Sequence, residues 1–135
     1  MPNCAYKGCM ISVRVVDSIT ELAACDAGCI AVSGSHGGIS SARYATDARP
    51  LLSIFNDAGG GKDAAGWAAL EHLQVQGLAA CTVSHLSARI GEAASTLTEG
   101  TISHVNAPAR ALGLAIGQAC SSAVAALQTN PRNRK

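Results

Sequence analysis

The sequence predicts an α/β fold, a three-layer sandwich with a mainly parallel sheet of about four strands. Three observations lead there. Short apolar runs recur without polar alternation, as strands covered on both faces require. Each run is followed by a segment with helical spacing, and that alternation implies βαβ crossovers. Glycine-rich, polar stretches stand where the runs end, at the positions of strand-to-helix turns.

Residues 11–16, ISVRVV, are β-branched and strand-like. They end at Asp17, ahead of Ser18-Ile19-Thr20-Glu21, whose serine and glutamate match a capping box. A short helix to about Ala24 is expected there. Residues 29–33 form a second, uninterrupted apolar strand with SGSHGG, 33–38, as its exit, and residues 39–47 form a helix that stops before Arg49-Pro50. Residues 51–55 make a third strand running into NDAGGGKD, 56–63, a loop by its glycines. Asp63 fits the N-cap of a helix reaching Gln76, with Gly66, Leu70 and Leu73 at helical spacing and Gly77 as its stop.

Residues 78–84 are a fourth strand, leaving through SHLSARIGE; residues 92–99 are a helix closed by Gly100. Across 101–113 the spacing of Ile102, Val105 and Leu112 is helical. Pro108 inside a helix would cost ~3 kcal/mol, so the expected helix starts late, with Asn106 as cap. Residues 118–127 complete the chain as an alanine-rich helix. The pattern is Rossmann-like or flavodoxin-like, and ligands of such sheets sit outside the carboxyl ends of the strands, near a reversal of strand order.

With 135 residues the chain suits one domain, here 11–128, between a poorly ordered lead-in, 1–10, and a flexible basic tail, 129–135. The net charge is +1 and aromatic residues make up 3%, so no basic stripe with stacking platforms is present and nucleic acid is not an expected partner. No run approaches the ~20 apolar residues of a membrane span, and the start of the chain lacks the unbroken apolar stretch of a signal peptide. A cytoplasmic location without membrane contact follows as an expectation. The six cysteines are read as reduced thiols. Cys4, Cys9, Cys25 and Cys29 lack the paired two-residue spacing of zinc ribbons, and Cys29 and Cys81 fall in strands, where a thiol behaves as a small hydrophobe.

Chemistry-bearing residues collect at three exits: Ser33, Ser35 and His36; then Asn56, Asp57 and Lys62; then Ser84, His85, Ser87 and Arg89, with His104 able to approach from the later segment. Several readings compete. Gly34, Gly37 and Gly38, with Gly60 in the next loop, would present backbone N–H groups to an anion beside a helix start. Their spacing fails the dinucleotide fingerprint, and Lys62 followed by Asp63 fails the triphosphate-loop pattern. Ser35 could be a nucleophile, and the order Ser35, Asp57, His85 is that of α/β-hydrolases, but the G-x-S-x-G elbow is missing.

His36 or His85 could transfer protons with Asp57 orienting the imidazole, Asn56 lining the site, and Lys62 and Arg89 holding an anionic group. A metal site from His36, His85, His104 and Asp57 is chemically allowed but lacks any short ligand spacing, and none is assigned. Taken singly, each residue also fits an ordinary strand-end role. The combined expectation is a small-molecule enzyme, a hydrolase or lyase, using acid-base or hydrolytic chemistry on an anionic or amide-bearing metabolite. No cofactor is identified. The rival expectation is a non-catalytic ligand-binding or assembly module, and in either case a homo-oligomer is expected.

Overall fold

The computed structural model describes residues 11–59 and 68–129. Five strands form one sheet: β1 (Val13–Val16), β2 (Ile30–His36), β3 (Leu52–Asn56), β4 (Ala79–Val83) and β5 (Ile102–Val105). They lie in the order β1-β2-β3-β4-β5; the first four are parallel and β5 runs antiparallel to β4. The helices are α1 (Ile39–Ala48), α2 (Ala68–Val75), α3 (Ala93–Glu99), α4 (Ala107–Ala111) and α5 (Cys120–Thr129). The lead-in 1–10, the cap Asp63, the site candidates Gly60 and Lys62, and the tail beyond 129 lie outside the described residues.

Local chemistry explains most boundaries. Ser18 and Glu21 do form the capping box: the Thr20 N–H donates to Ser18 Oγ at 3.3 Å and the Ser18 N–H to Glu21 Oε2 at 3.1 Å. What they open is a single 3-10 turn, Ile19–Glu21, since Leu22 is already extended. α1 ends at Arg49, in the left-handed region at φ 53° just before Pro50. Gly77, at φ 78°, turns the chain from α2 into β4. Asn106 caps α4 as expected, accepting from the Ala109 N–H at 3.0 Å, and Pro108 sits harmlessly in the first turn.

Two expectations need correction. The sheet has five strands, because residues 102–105 pair with β4 rather than coiling. Four residues are too few to separate a period of 3.6 from one of 2, and the ladder to β4 decides the matter. SGSHGG is also less of a loop than it reads: Ser33, Gly34, Ser35 and His36 belong to β2, and the exit is Gly37-Gly38.

Parallel strands laid down in sequential order must all be joined by crossovers on one side, because each crossover is right-handed. The buried clusters agree. Ile19, Ala42, Ala45, Ala69, Leu70 and Leu73 meet Ala31, Phe55 and Ala80 on that face. The opposite face, with Val32, Ile54, Cys81 and Val83, is covered by elements that follow β4, chiefly Ala123, Val124 and Leu127 of α5 with Leu97 of α3 packed against them. The strand order does not reverse among these five strands. Among the described residues no helix is long and apolar enough to cross a membrane.

Candidate functional site

The densest polar cluster forms where β3 and β4 end. Asp57 follows β3, and its backbone N–H donates to the Val83 carbonyl at 2.9 Å, tying the exit of β3 to that of β4. The chain then turns sharply through Ala58 and Gly59, both at positive φ. Asn56 supports this turn from within the core: its Oδ1 accepts from the Ala58 N–H at 2.7 Å, and its Nδ2 donates to the Ala88 carbonyl at 3.0 Å. The second bond pulls the loop after β4 down onto β3. Asn56 is fully buried and both ends of its amide are engaged, which makes it a scaffold for the loops.

That loop carries His85. Ser84 shapes it, with Oγ accepting from the Leu86 N–H and the carbonyl accepting from the Ser87 hydroxyl. Ser87 Oγ in turn takes the Thr101 N–H at 2.9 Å. The imidazole of His85 is thereby set over Gly59, where a Cβ would come within 3.2 Å of the ring. Its Nδ1 lies 3.3 Å from Asp57 Oδ1, and the His85 backbone N–H donates to the same oxygen at 3.1 Å. The Gly59 N–H donates to it at 2.9 Å.

Burial by itself pushes the Asp57 carboxyl up, because a desolvated charge is unfavourable. The hydrogen bonds donated by Gly59 and His85, with the Ser103 hydroxyl nearby, outweigh it, and the carboxyl titrates below its ordinary range. An ionised Asp57 only accepts, so the histidine nitrogen facing it must carry the proton, which leaves the lone pair on Nε2. The side chain of Asp57 is 9% exposed and that of His85 46%. A buried carboxylate thus orients a solvent-reachable imidazole, the arrangement that makes an imidazole a competent proton acceptor.

The remaining candidates have contacts of their own: His36 pairs with Asn56 across the β2–β3 ladder, and the Gly37 N–H donates to the Asn56 carbonyl at 3.0 Å. Ser35 Oγ accepts the Ile19 N–H at 3.0 Å, on the β1 side of β2, with β3 between it and the strand that leads to His85. The ring of His36 lies over Gly38, where a Cβ would be 2.7 Å from Nε2, and its carbonyl takes the Ser41 hydroxyl in α1. The missing Cβ of Gly34 is used by packing: it would meet the backbone of Gly91 and Glu92 at contacts as short as 2.4 Å. The Gly37 carbonyl is taken by the Ala69 N–H of α2. Arg89 has a 79% exposed side chain whose guanidinium lies 3.9 Å from Glu92.

Two groups that sequence reasoning missed belong to the cluster. Ser103 and Thr82 enter it only because β5 pairs with β4, a ladder that the helical spacing of 101–113 concealed. His104 reaches the same place through Thr82 and Ser103, each 3.2 Å from its Nδ1. Among the described residues no three His, Cys, Asp or Glu side chains are grouped to hold a metal ion. No family model, curated protein or solved structure matches the chain.

Proposed function

We propose that the chain is an enzyme whose His85 moves a proton at the carboxyl edge of the sheet, in hydrolysis or elimination on a small anionic or amide-bearing metabolite. The observation that carries this reading is the contact between the buried Asp57 carboxylate and Nδ1 of the half-exposed His85 at 3.3 Å. With Nδ1–H held by Asp57, Nε2 accepts a proton from water or from substrate. The imidazolium that forms is stabilised by the carboxylate behind it. Because Ser35 is engaged beside β1, activated water rather than a seryl oxygen is the nucleophile in the hydrolytic case. Arg89, exposed on the loop that carries His85, supplies a cation for an anionic group.

The reading keeps the cytoplasmic location and the homo-oligomeric state expected from composition. Leu86 and Ile90, 85% and 53% exposed on the same loop, support a covered or ligand-bound site rather than a bare one.

The test is a turnover screen of carboxylate-bearing esters, amides and β-hydroxy acids with wild type, His85→Gln and Asp57→Asn. Wild type turns over a member of the panel, His85→Gln loses about 10²- to 10⁴-fold in kcat, and Asp57→Asn falls comparably. The Asp57 carboxyl, held ionised to below its ordinary range, costs no rate on acidification until the pH falls through that lowered value. Equal rates in His85→Gln and wild type, or a metabolite that stabilises the protein and is recovered unchanged, would overturn the proposal.

A further inference from the structure

We infer that Gly34 is a positioning residue: from β2 it seats the far end of the loop that carries His85, and that seat holds the imidazole against Asp57. The inference rests on the Asp57–His85 reading above and extends it two strands away across the sheet. The loop is pinned at three places. It leaves β4 at Ser84 in a tight turn, with the Ser87 and Ala88 N–H groups donating to the Ser84 carbonyl at 3.0 and 3.1 Å. Over the end of β3 its Ala88 carbonyl accepts from Asn56 Nδ2 at 3.0 Å. At β2 the Gly91 N–H donates to the Gly34 carbonyl at 2.7 Å, the shortest of these bonds. His85 lies inside the span, so the height of the arch decides where its ring stands.

The seat is shaped by a bulge in β2. Val32 pairs with Ile54 and His36 with Asn56, so residues 33–35 stand opposite Phe55 alone and leave the regular ladder. Gly34, in the middle, turns its N–H to the Asp17 carbonyl at 3.2 Å and its own carbonyl to Gly91. What it contributes is space rather than a positive φ: a Cβ there would stand 2.4 Å from the Glu92 nitrogen and 2.5 Å from the Gly91 carbonyl carbon. Both are backbone atoms, which cannot swing aside as a side chain does. An alanine therefore lifts residues 91 and 92 by about 1 Å to reach ordinary contact near ~3.5 Å. The Asp57 contact has no such reserve, because Nδ1 already lies 3.3 Å from Oδ1 and a hydrogen bond is lost by about 3.6 Å.

The test is ring-nitrogen NMR of His85 at mildly alkaline pH, together with the coupling across the hydrogen bond from the Gly91 nitrogen to the Gly34 carbonyl carbon, on wild type, Gly34→Ala, Gly91→Ala, Leu73→Ala and Asp57→Asn. Wild type shows the coupling and a His85 protonated at Nδ1. Gly34→Ala loses the coupling and shifts the His85 tautomer ratio about tenfold toward the Nε2-protonated form, as the loss of one hydrogen bond to a charged group does. Gly91→Ala disturbs the same seat from the other side: nothing lies within 4 Å of the added Cβ, but a φ of +84° strains it. It moves the ratio in the same direction by less, and it carries the test should Gly34→Ala fail to fold. Leu73→Ala opens a cavity under α2, in the core cluster on the other face from Ala88, and lowers the melting temperature with the His85 signal unchanged. A merely structural role for Gly34 would make Gly34→Ala behave like Leu73→Ala.

A wild-type His85 tautomer in Gly34→Ala and Gly91→Ala, with Asp57→Asn altering His85, would overturn the role of Gly34 alone, as would a wild type without the Gly91–Gly34 coupling. An unchanged His85 signal in Asp57→Asn would overturn the aspartate–histidine pair itself, and this inference with it.

Discussion

Asn106 concentrates more structure in one side chain than any candidate catalytic group. Its Oδ1 accepts from the Ala80 N–H in β4 and the Ala109 N–H in α4, both at 3.0 Å. Its Nδ2 donates to the carbonyls of Leu70 in α2 and Leu78 at 3.1 and 3.0 Å. The residue is 5% exposed, so water does not replace these partners when the amide is removed. Asn106→Ala loses a helix cap worth about 1 kcal/mol and leaves buried backbone groups unpaired at about 1–3 kcal/mol each. A destabilisation of roughly 2–4 kcal/mol is expected in urea titration, and a change of under ~0.5 kcal/mol would show that the loop relaxes around the gap. Asn106→Asp keeps the cap but turns a carboxylate toward two carbonyls, so it falls well short of wild type.

At the scale of elements, legibility follows burial. The inner strands could be read from the chain because consecutive positions are apolar when both faces are covered; in β4 all of Ala79 to Val83 are buried. β5 was hidden because only Ile102 of its four residues is fully inside, and because its pairing is long-range. The site divides along the same line. Asp57 and His85 stand at the exits of adjacent strands, so their proximity follows once β3 and β4 are read as neighbours. Ser103 and Thr82 become visible only with the β4–β5 ladder in hand. The structural use of Gly34 could not be read at all, since it depends on where Gly91 returns to β2, at 2.7 Å from its N–H to the Gly34 carbonyl.

The packing of α5 on β4 makes its own prediction through two thiols. Cys81, fully buried in the sheet, and Cys120, at the start of α5, belong to one apolar cluster. Burial pushes Cys120 up to about 12 and Cys81 well above its ordinary range, and burial together with nearby Asp26 takes Cys29 to about 11. A thiol moved from about 8.5 to 12 holds on the order of 10³-fold less thiolate, the only reactive form. Among the described cysteines, iodoacetamide at pH 8 should label exposed Cys25 in the native protein and spare Cys29, Cys81 and Cys120 until urea is added. Native labelling of Cys120 at the rate of Cys25, read by peptide mass mapping, would mean that α5 leaves the sheet.

Whether α5 is a cover or a necessity is settled by topology at the scale of the whole molecule. Because the parallel strands follow one another in sequence, all their crossovers fall on one face, so among the described residues no helix before β4 covers the other. That face presents Ile30, Val32, Leu52, Ile54, Cys81 and Val83, and its cover arrives late in the chain. Val124 and Leu127 alone contribute about 1.5–3 kcal/mol each by burial, against a total of about 5–15 kcal/mol for a domain. A chain ending at Gly117 loses them with Cys120 and Ala123, and it also exposes the sheet beneath. It should bind 8-anilinonaphthalene-1-sulfonate strongly and melt without a cooperative transition, keeping strand and helix signal in the far ultraviolet. A sharp melt and no dye binding in that truncated chain would mean that α3 and the loop around Leu114 suffice to close the face. The Asp57–His85 pair is built at the exits of β3 and β4 and, among the described residues, makes no hydrogen bond to α5, so its geometry depends on this helix only through the sheet face that α5 buries.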